Sequence, residues 1–349
     1  MTINATPQPE RSDRVTRGAE SDGSPSVTPA VEARGLTKTF GTNRAVDDID
    51  LTVMEGEILG VLGPNGAGKT TMLNMLATLL PIDGGEARIF GYDVRSEGHA
   101  VRQLIGVTGQ YASVDENLTA RENLWLFGRL QGLSSKKAHS TGDDLLAQFD
   151  LTDAAHRPIS QFSGGMRRRL DLAASLITRP ALIFLDEPTT GLDPRTRGQM
   201  WDTIRDLAAA GSTILLTTQY LDEADALAGR IAMIDHGRKI AEGTPAELKA
   251  KIGTSSLRVQ LVEGADTAKA AALAADLTRE TPILAATGSG FSVMLSDANQ
   301  AADVLITLRN HRFDITNATV EQPSLDDVFM ALTGRPSETP VPDSAASDS

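Results

Sequence analysis

Residues 58–71 have the sequence ILGVLGPNGAGKTT, in which an apolar run leads into a glycine-rich stretch. The run Ile58–Leu62 predicts a strand that is apolar on both faces, as in a parallel sheet covered by helices on both sides. An amphipathic pattern from Lys69 to Leu80 predicts a helix directly after the glycines. The pattern G-x-x-x-x-G-K-[ST] is satisfied between them by Gly63, Pro64, Asn65, Gly66, Ala67, Gly68, Lys69 and Thr70.

This strand, loop and helix predict a binding site for a chain of phosphates. Glycines permit loop conformations in which successive backbone N–H groups point at one anion, and the new helix adds the positive end of its dipole. We expect Lys69 to neutralise the β- and γ-phosphates of a nucleotide and the hydroxyl of Thr70 to bind Mg²⁺. Thr71 completes the predicted nucleotide site.

Two adjacent carboxylates follow a second predicted strand. Ala181–Leu185 is apolar, and Asp186 and Glu187 come directly after it. Because ligands of parallel sheets bind beyond the carboxyl ends of the strands, we expect Asp186 beside the phosphate loop, where it holds Mg²⁺ through its water shell. Glu187 is then placed to orient or deprotonate a water molecule aimed at the γ-phosphate.

The composition of the chain excludes several classes of protein. It has 349 residues, a net charge of −13 and no cysteine. The lack of cysteine excludes disulfide scaffolds, thiol catalysis and cysteine-ligated zinc. A chain this acidic is a poor candidate for general nucleic-acid binding. No run approaches the roughly 18–20 apolar residues of a membrane span, and the first residues lack the apolar core of a signal peptide. We therefore expect a cytoplasmic protein.

The chain divides into four segments by composition and pattern. Residues 1–30 and 335–349 are rich in Ser, Pro and charged residues, and we interpret them as disordered tails. Residues 31–250 alternate apolar strand patterns with helical patterns, which predicts an α/β domain with a mainly parallel sheet. In residues 251–334, short strand patterns alternate with helical patterns, which predicts a small α+β domain.

A third motif lies between the two nucleotide motifs. Phe162-Ser163-Gly164-Gly165-Met166 resembles the signature motif of ATP-binding cassette (ABC) ATPases. The resemblance covers about residues 31–250 and implies a P-loop NTPase cassette with an antiparallel β part and a helical subdomain beside the parallel sheet. It also implies a homodimer that sandwiches two ATP molecules, in which Ser163, Gly164 and Gly165 face the γ-phosphate bound to the opposite subunit. The run Arg167–Arg169 that follows is interpreted as a solvent-exposed helix face.

The resemblance assigns roles to four further residues. Phe40 lies where the family places an aromatic ring against adenine, with a buried core Phe as the alternative. Gln110 matches a glutamine that contacts Mg²⁺ or the attacking water, and Asp193 belongs to the loop that touches the opposite subunit. Gln219 stands where most cassettes have His, and its amide can donate to the γ-phosphate but cannot accept and return a proton as imidazole can. We therefore group Gln110 and Gln219 with Glu187 as catalytic residues.

Two further segments resemble the daunorubicin-resistance type of exporter ATPase. They are residues 219–225, QYLDEAD, and residues 323–329, PSLDDVF. This resemblance implies an ATPase on the cytoplasmic face of the cell membrane that powers export of an amphipathic drug or lipid through a separate permease. The alternatives are a soluble ABC ATPase acting on a regulatory or ribosomal partner, an importer, and a module that holds ATP without turnover.

Overall fold

A computed structural model of the chain describes residues 29–109, 114–251, 255–285, 288–297, 299–321 and 323–334. Its strands are β1 (Pro29–Phe40), β2 (Asn43–Met54), β3 (Ile58–Leu62), β4 (Gly84–Ile89), β5 (Tyr92–Asp93), β6 (Ile105–Thr108), β7 (Leu182–Asp186), β8 (Thr213–Thr218), β9 (Arg230–Asp235), β10 (Arg238–Gly243), β11 (Ser255–Leu261), β12 (Ile283–Leu284), β13 (Gly290–Leu295) and β14 (Ile315–Glu321). Its α-helices are α1 (Lys69–Leu76), α2 (Gly98–Leu104), α3 (Ala120–Leu130), α4 (Ser135–Gln148), α5 (Gly164–Ser175), α6 (Pro194–Ala209), α7 (Leu221–Leu227), α8 (Pro245–Ala250), α9 (Thr267–Thr278), α10 (Asn299–Asn310) and α11 (Leu325–Thr333).

The central sheet has the strand order β10-β9-β3-β8-β7-β6, and its neighbouring strands are parallel except for the β9-β10 hairpin. Alternate residues of β7 face different cores. Leu182 and Phe184 pack in the core that contains α1, whereas Ile183 and Leu185 pack among α3 to α6. Helices on both faces explain why the strand is apolar from Leu182 to Leu185. The parallel order also brings the carboxyl ends of β3, β7 and β8 to one edge of the sheet.

The antiparallel sheet β2-β1-β4-β5 shares the first of these cores with α1. The helical region forms the second core. The sequence Thr119-Ala120-Arg121-Glu122 predicts a capping box and the start of a helix, and α3 begins there. The hydroxyl of Thr119 accepts from the N–H of Glu122 at 3.2 Å, and the Glu122 carboxylate accepts from the N–H of Thr119 at 2.8 Å. This reciprocal cap satisfies two of the donors that a helix leaves free at its first turn. The mainly parallel sheet with an antiparallel part and a helical region is thereby confirmed.

The C-terminal part contains a third sheet, whose antiparallel strands have the order β12-β13-β11-β14. Helices α9 and α10 share an apolar core with this sheet, which includes Leu257, Phe291 and Val304. Helix α11 packs elsewhere, because Val328 and Phe329 join a core with α7 and α8. The α+β class of this part is confirmed, and the domain boundary near residue 250 stays a prediction.

The helices are short, and the longest, α6, has 16 residues. Where the chain is described, no helix combines the length and the apolarity that crossing a bilayer requires. Helix α1 ends at Leu76, earlier than the pattern up to Leu80 predicts. Thr78 adopts a left-handed φ of 63°, and the N–H groups of Leu79 and Leu80 turn back to the carbonyl of Asn74. The apolar pattern continues past Leu76 because Ala77 and Leu80 also pack against the core, whereas Leu79 is exposed.

Candidate functional site

The phosphate loop joins the end of β3 to the start of α1, and two of its glycines are required by close backbone approach. A Cβ at Gly63 would overlap the carbonyl oxygen of Ile234, and a Cβ at Gly68 would overlap that of Ala45. Gly68 also has a φ of 102°, which residues with a Cβ rarely adopt. The loop therefore keeps its backbone close to β2 and β9, while Asn65 and Gly66 at its tip are exposed.

Lys69 lies inside this loop, with only 4% of its surface exposed. Its Nζ donates to the carbonyl oxygens of Gly63 at 2.7 Å and Pro64 at 3.1 Å, and lies 3.3 Å from Oε1 of Glu187. Burial lowers the pKa of Lys69 below its usual range, and the carboxylate of Glu187 opposes that shift. The ammonium group is thus held between the loop and the carboxylate of Glu187, the residue directly after β7.

Asp186 is surrounded by hydroxyl groups. Its Oδ1 accepts from Oγ1 of Thr70 at 3.1 Å and from Oγ1 of Thr217 at 2.6 Å. Thr70 lies in the first turn of α1, Thr217 belongs to β8 and Asp186 ends β7, so three neighbouring elements converge on one carboxylate oxygen. Carboxylate and hydroxyl oxygens are ligands that Mg²⁺ prefers, and Thr70 and Asp186, two of the three residues predicted to contact Mg²⁺, are adjacent.

Glu187 is held in an unusual backbone conformation beside Asp186. Its φ is 48°, in the left-handed region that is unfavourable for a residue with a side chain. Its N–H donates to the carbonyl and the hydroxyl of Thr217, each at 3.1 Å. Its Oε2 accepts from Oγ1 of Thr190 at 3.2 Å. Glu187 as a whole is 8% exposed, and its carboxylate lies between Lys69 and Thr190 in the loop after β7.

The predicted signature residues and Asp193 lie at two adjoining helix starts. Ser163 caps α5 by accepting from the N–H of Met166 at 3.3 Å. Asp193 caps α6 by accepting from Arg195, and from both the N–H and the hydroxyl of Thr196. The hydrogen bonds from Thr196 lower the pKa of the exposed Asp193 carboxyl. A Cβ on Gly165 would lie 2.5 Å from Cγ2 of Thr196, so a side chain there would push the two helix starts apart.

The remaining predicted residues have different outcomes. Phe40 ends β1 with 48% of its surface exposed and its ring centroid 5.5 Å from Nζ of Lys38, which rules out the buried-core alternative. Gln219 follows β8 and is partly buried, next to a turn in which the Thr218 hydroxyl accepts from the N–H of Tyr220 at 2.9 Å. Gln110 lies outside the described residues.

Comparison with known proteins identifies the family. The ABC transporter family matches residues 46–190, and the family described as ATP-binding protein DrrA1-3-like, C-terminal domain, matches residues 243–333. The chain is 50% identical over 321 residues to the daunorubicin/doxorubicin resistance ATP-binding protein DrrA of Streptomyces peucetius, which covers 92% of this chain and 97% of that protein. The Nod factor export ATP-binding protein I of Burkholderia lata is 39% identical over 87% of this chain and 97% of its own length.

This chain belongs to the ABC transporter family. It is the ATP-hydrolysing subunit of an ABC exporter, and the hydrolysis is coupled to transport. A solved ATP-binding subunit of an ABC transporter matches with a TM-score of 0.58 and 26% identity, over 64% of this chain and 92% of that one. A dimeric ATP-binding cassette in a post-hydrolysis state, bound to ADP and Pi, matches with a TM-score of 0.57 and 26% identity, over 61% and 98%. The alternative of a non-transport cassette finds no support among these relatives.

The prediction of a solvent-exposed face at residues 167–169 of this ABC cassette is wrong for Arg168. The Arg168 side chain is 14% exposed and donates hydrogen bonds to backbone carbonyl oxygens near Asp186 and Glu187. Arg169 is also largely covered, at 15%, and donates to the carbonyl of Phe149. A run of arginines at the start of a helix has no local signal of burial, since the covering segments are distant in sequence.

Sequence analysis of the cassette also missed Glu223, which is fully buried on α7. Its Oε1 accepts from Oγ1 of Thr189 at 2.7 Å and from Nε1 of Trp201 at 3.2 Å. Burial raises the pKa of Glu223, while the hydrogen bonds oppose the shift. This carboxyl connects the loop after Glu187 to α6 and α7, and nothing in the acidic stretch around it distinguishes it from a surface residue.

Proposed function

We propose that this cassette powers the export of an amphipathic drug or lipid through a separate membrane permease. The observation that carries the proposal is the 50% identity with a daunorubicin/doxorubicin resistance ATP-binding protein over nearly the whole of both chains. That similarity includes the C-terminal part, where the DrrA1-3-like family matches. More distant relatives, at 39% identity, are named as ATP-binding proteins for the export of Nod factor. Relatives named for two different exported molecules favour a permease that decides the substrate.

Within this proposal, the phosphate loop binds the nucleotide and the edge of the central sheet acts on it. Lys69 and the backbone of Gly63 to Thr71 bind the phosphates, and Phe40 stacks on the adenine ring. Thr70, Asp186 and Gln110 hold Mg²⁺, which neutralises part of the phosphate charge when bound. The adjacent hydroxyl and carboxylate oxygens of Thr70 and Asp186, 3.1 Å apart, support this assignment.

Glu187 orients the water that attacks the γ-phosphate, and Gln219 donates an N–H to a γ-phosphate oxygen. Positioning of the water and electrostatic stabilisation account for much of the effect of Glu187. The 3.3 Å contact between Glu187 and Lys69 supports this role, because it shows that the carboxylate lies within reach of the group that binds phosphate. When a nucleotide binds, the phosphates compete with Glu187 for the ammonium group and free the carboxylate for water.

The cassette works as a homodimer with two ATP molecules between its subunits. The exposure of Ser163, Gly164 and Asp193 at the adjoining starts of α5 and α6 supports this, since these residues are available to an opposite subunit. The solved dimeric relative bound to ADP and Pi supports it as well. The dimer is peripheral and lies on the cytoplasmic face of the membrane, bound to its permease.

The test is affinity purification of the tagged chain from gently solubilised membranes of its own host. We expect a multi-span membrane protein to co-purify in stoichiometric amount. Inside-out vesicles that contain both proteins should then accumulate a fluorescent anthracycline when ATP is added, and vesicles with the Glu187→Gln cassette should not. Recovery of the chain only with ribosomal or regulatory proteins would contradict the transport proposal and leave the ATP site in place.

A further inference from the structure

The guanidinium of Arg168 connects α5 to two other segments of the chain, residues 186–188 and Gly109. Its Nη2 donates to the carbonyl oxygens of Asp186 at 2.7 Å and Glu187 at 3.0 Å, and its Nε donates to that of Pro188 at 3.0 Å. Its Nη1 donates to the carbonyl of Gly109 at 2.5 Å. One side chain from α5 thus binds three consecutive carbonyls, beginning at the last residue of β7, and a fourth at Gly109.

These contacts fix the peptide groups around Glu187. Its N–H is bound by Thr217 of β8, and its carbonyl and that of the preceding residue are bound by Arg168. The left-handed φ of 48° at Glu187 is a sparsely populated conformation, which persists only where the surroundings fix it from several sides. Since φ and ψ determine where the Cα–Cβ bond points, the same contacts set the direction of the Glu187 carboxylate.

The charge of the guanidinium is balanced by carboxylates. Asp171, one turn further along α5, has its Oδ2 4.0 Å from Nη1 of Arg168. Burial lowers the pKa of Arg168, and Asp171, Asp186 and Glu223 favour its charged form. A guanidinium suits this position better than an ammonium group, because its planar fork presents five donors at fixed angles whereas lysine has three on a flexible stem.

We propose that Arg168 is a positioning residue for ATP hydrolysis, which holds the peptide of Glu187 in the left-handed conformation that aims its carboxylate at the attacking water. The proposal rests on the proposed role of Glu187. Arg168 itself touches neither the phosphate loop nor Lys69 in any of its hydrogen bonds. Nucleotide affinity is therefore independent of Arg168, and the rate of hydrolysis depends on it.

The two neighbouring arginines provide matched controls on the same helix. Arg167 forms an ion pair with Glu116 at 2.5 Å on the surface. Arg169 donates to the carbonyl of Phe149 at 3.1 Å and lies 3.9 Å from Asp150. Neither has a hydrogen bond to residues 186–188, so an Arg→Lys change at these positions alters the same residue type without altering the contact in question.

The experiment is a double-mutant cycle between Arg168→Lys and Glu187→Gln, read as single-turnover hydrolysis and as equilibrium ATP affinity. Arg168→Lys keeps the charge and removes the fork, and we expect it to slow hydrolysis about tenfold or more, because small misplacements of a catalytic group are costly. The Kd for ATP of Arg168→Lys should stay within about twofold of the wild-type value. In Arg167→Lys and Arg169→Lys, both the rate of hydrolysis and the Kd for ATP should stay within about twofold of wild type. In the Glu187→Gln background, Arg168→Lys should cause no further loss, because residues that act through one another are not additive.

Equal losses with and without Glu187→Gln would overturn the proposal, and so would an unchanged rate in Arg168→Lys alone. Weaker ATP binding in both Arg168→Lys and Arg168→Gln, which retains an amide donor, would also overturn it, because the proposal makes nucleotide affinity independent of Arg168. Wild-type turnover in Glu187→Gln alone would remove the proposed role of Glu187 and this proposal with it. Additive losses would remove only the proposal for Arg168.

Discussion

The cassette and the C-terminal sheet bury different kinds of side chain. At the edge of the central sheet, Lys69, Asp186 and Glu187 are each less than 9% exposed, and Glu223 is fully buried behind them. Among the described residues of 255–321, the buried polar side chains are those of Ser256, Thr267 and Thr278, and none of the buried side chains is charged. Both regions have a sheet covered by helices and a continuous apolar core.

Burying a charge is unfavourable unless hydrogen bonds and opposite charges compensate for it. At this edge of the cassette, Lys69, Asp186 and Glu187 are compensated by one another, by backbone carbonyls and by hydroxyl groups. Lys38, which is buried on β1 of the antiparallel sheet, is compensated by Asp83 and the carbonyl of Pro81. The C-terminal sheet follows the simpler rule of apolar inside and polar outside. The difference indicates that ATP hydrolysis takes place at the cassette edge, the edge of the central sheet where Lys69, Asp186 and Glu187 lie. The C-terminal sheet contributes through its stability and its surface.

The largest effect is expected from removing a buried phenyl ring, and its consequence should differ between the two regions. Phe291→Ala should destabilise the C-terminal sheet by about 3–5 kcal/mol, because it leaves a cavity in that core. ATP turnover of the folded protein should persist. Phe184→Ala is the matched variant in β7, two residues before Asp186, and should lose both stability and turnover. Denaturant unfolding and ATPase assays distinguish the two, and equal loss of turnover would contradict the separation of roles.

The second prediction concerns Lys69. Lys69→Ala should weaken ATP binding about 100-fold, since it removes the buried cation that faces the phosphates in a low-dielectric site. Lys249→Ala removes another lysine of the cassette, which pairs with Asp225 at 2.7 Å near the surface, and should leave ATP affinity unchanged. Calorimetric titration with ATP measures both. Unchanged affinity in Lys69→Ala would show that the buried charge is not part of the nucleotide site.

A smaller effect is expected at Gln219. Gln219→Ala should lower kcat about 3- to 10-fold, the range that follows from losing one hydrogen bond worth about 0.5–1.5 kcal/mol. Gln199 on the exposed face of α6 is the control, and Gln199→Ala should not alter kcat. Steady-state ATPase kinetics measure the change. Identical kinetics in Gln219→Ala and wild type would mean that this position does not contact the γ-phosphate.

The smallest effect is a change in the pH dependence of stability. Because burial raises the pKa of Glu223, the folded chain binds this proton more tightly than the unfolded chain, and the stability it contributes is lost as pH rises from about 4.3 through the raised pKa. The Tm of Glu223→Gln relative to wild type should therefore rise with pH over that range.

Glu247 provides a control of opposite sign. Hydrogen bonds from Thr244 lower its pKa, so its contribution to stability is lost as pH falls through the lowered pKa. The Tm of Glu247→Gln relative to wild type should therefore rise as pH falls. Parallel pH trends in the two variants would contradict the assignment of Glu223 as a buried acid.

The predictable part of the molecule is the part in which neighbouring residues determine the structure. The strand at residues 58–62, the capping box at Thr119 and the glycines of the phosphate loop are local patterns, and the structure confirms each of them. The sequence also predicts that Asp186 lies beside the phosphate loop that contains Thr70, because the carboxyl ends of parallel strands in one sheet share one edge. The predicted C-terminal end of α1 is wrong by about one turn, since apolar residues can pack against a core from a turn as well as from a helix.

Contacts between distant segments could not be predicted. Arg168 reaches carbonyls 18 to 20 residues further along the chain and one 59 residues before it, and these acceptors are backbone atoms that every residue has. Glu223 is bound by Thr189 and Trp201 from 34 and 22 residues away. In both cases a charged side chain is indistinguishable from a surface residue until the fold brings its partners to it.

The most direct test of the central claim is a comparison of ATP binding and ATP turnover in Glu187→Gln. The cassette-edge account predicts that the Kd for ATP stays within about twofold while turnover falls about 100-fold or more, because the amide retains the shape of the side chain and removes the charge that orients water. Turnover at the wild-type rate, with ATP still bound, would contradict it and move the catalytic group away from the end of β7.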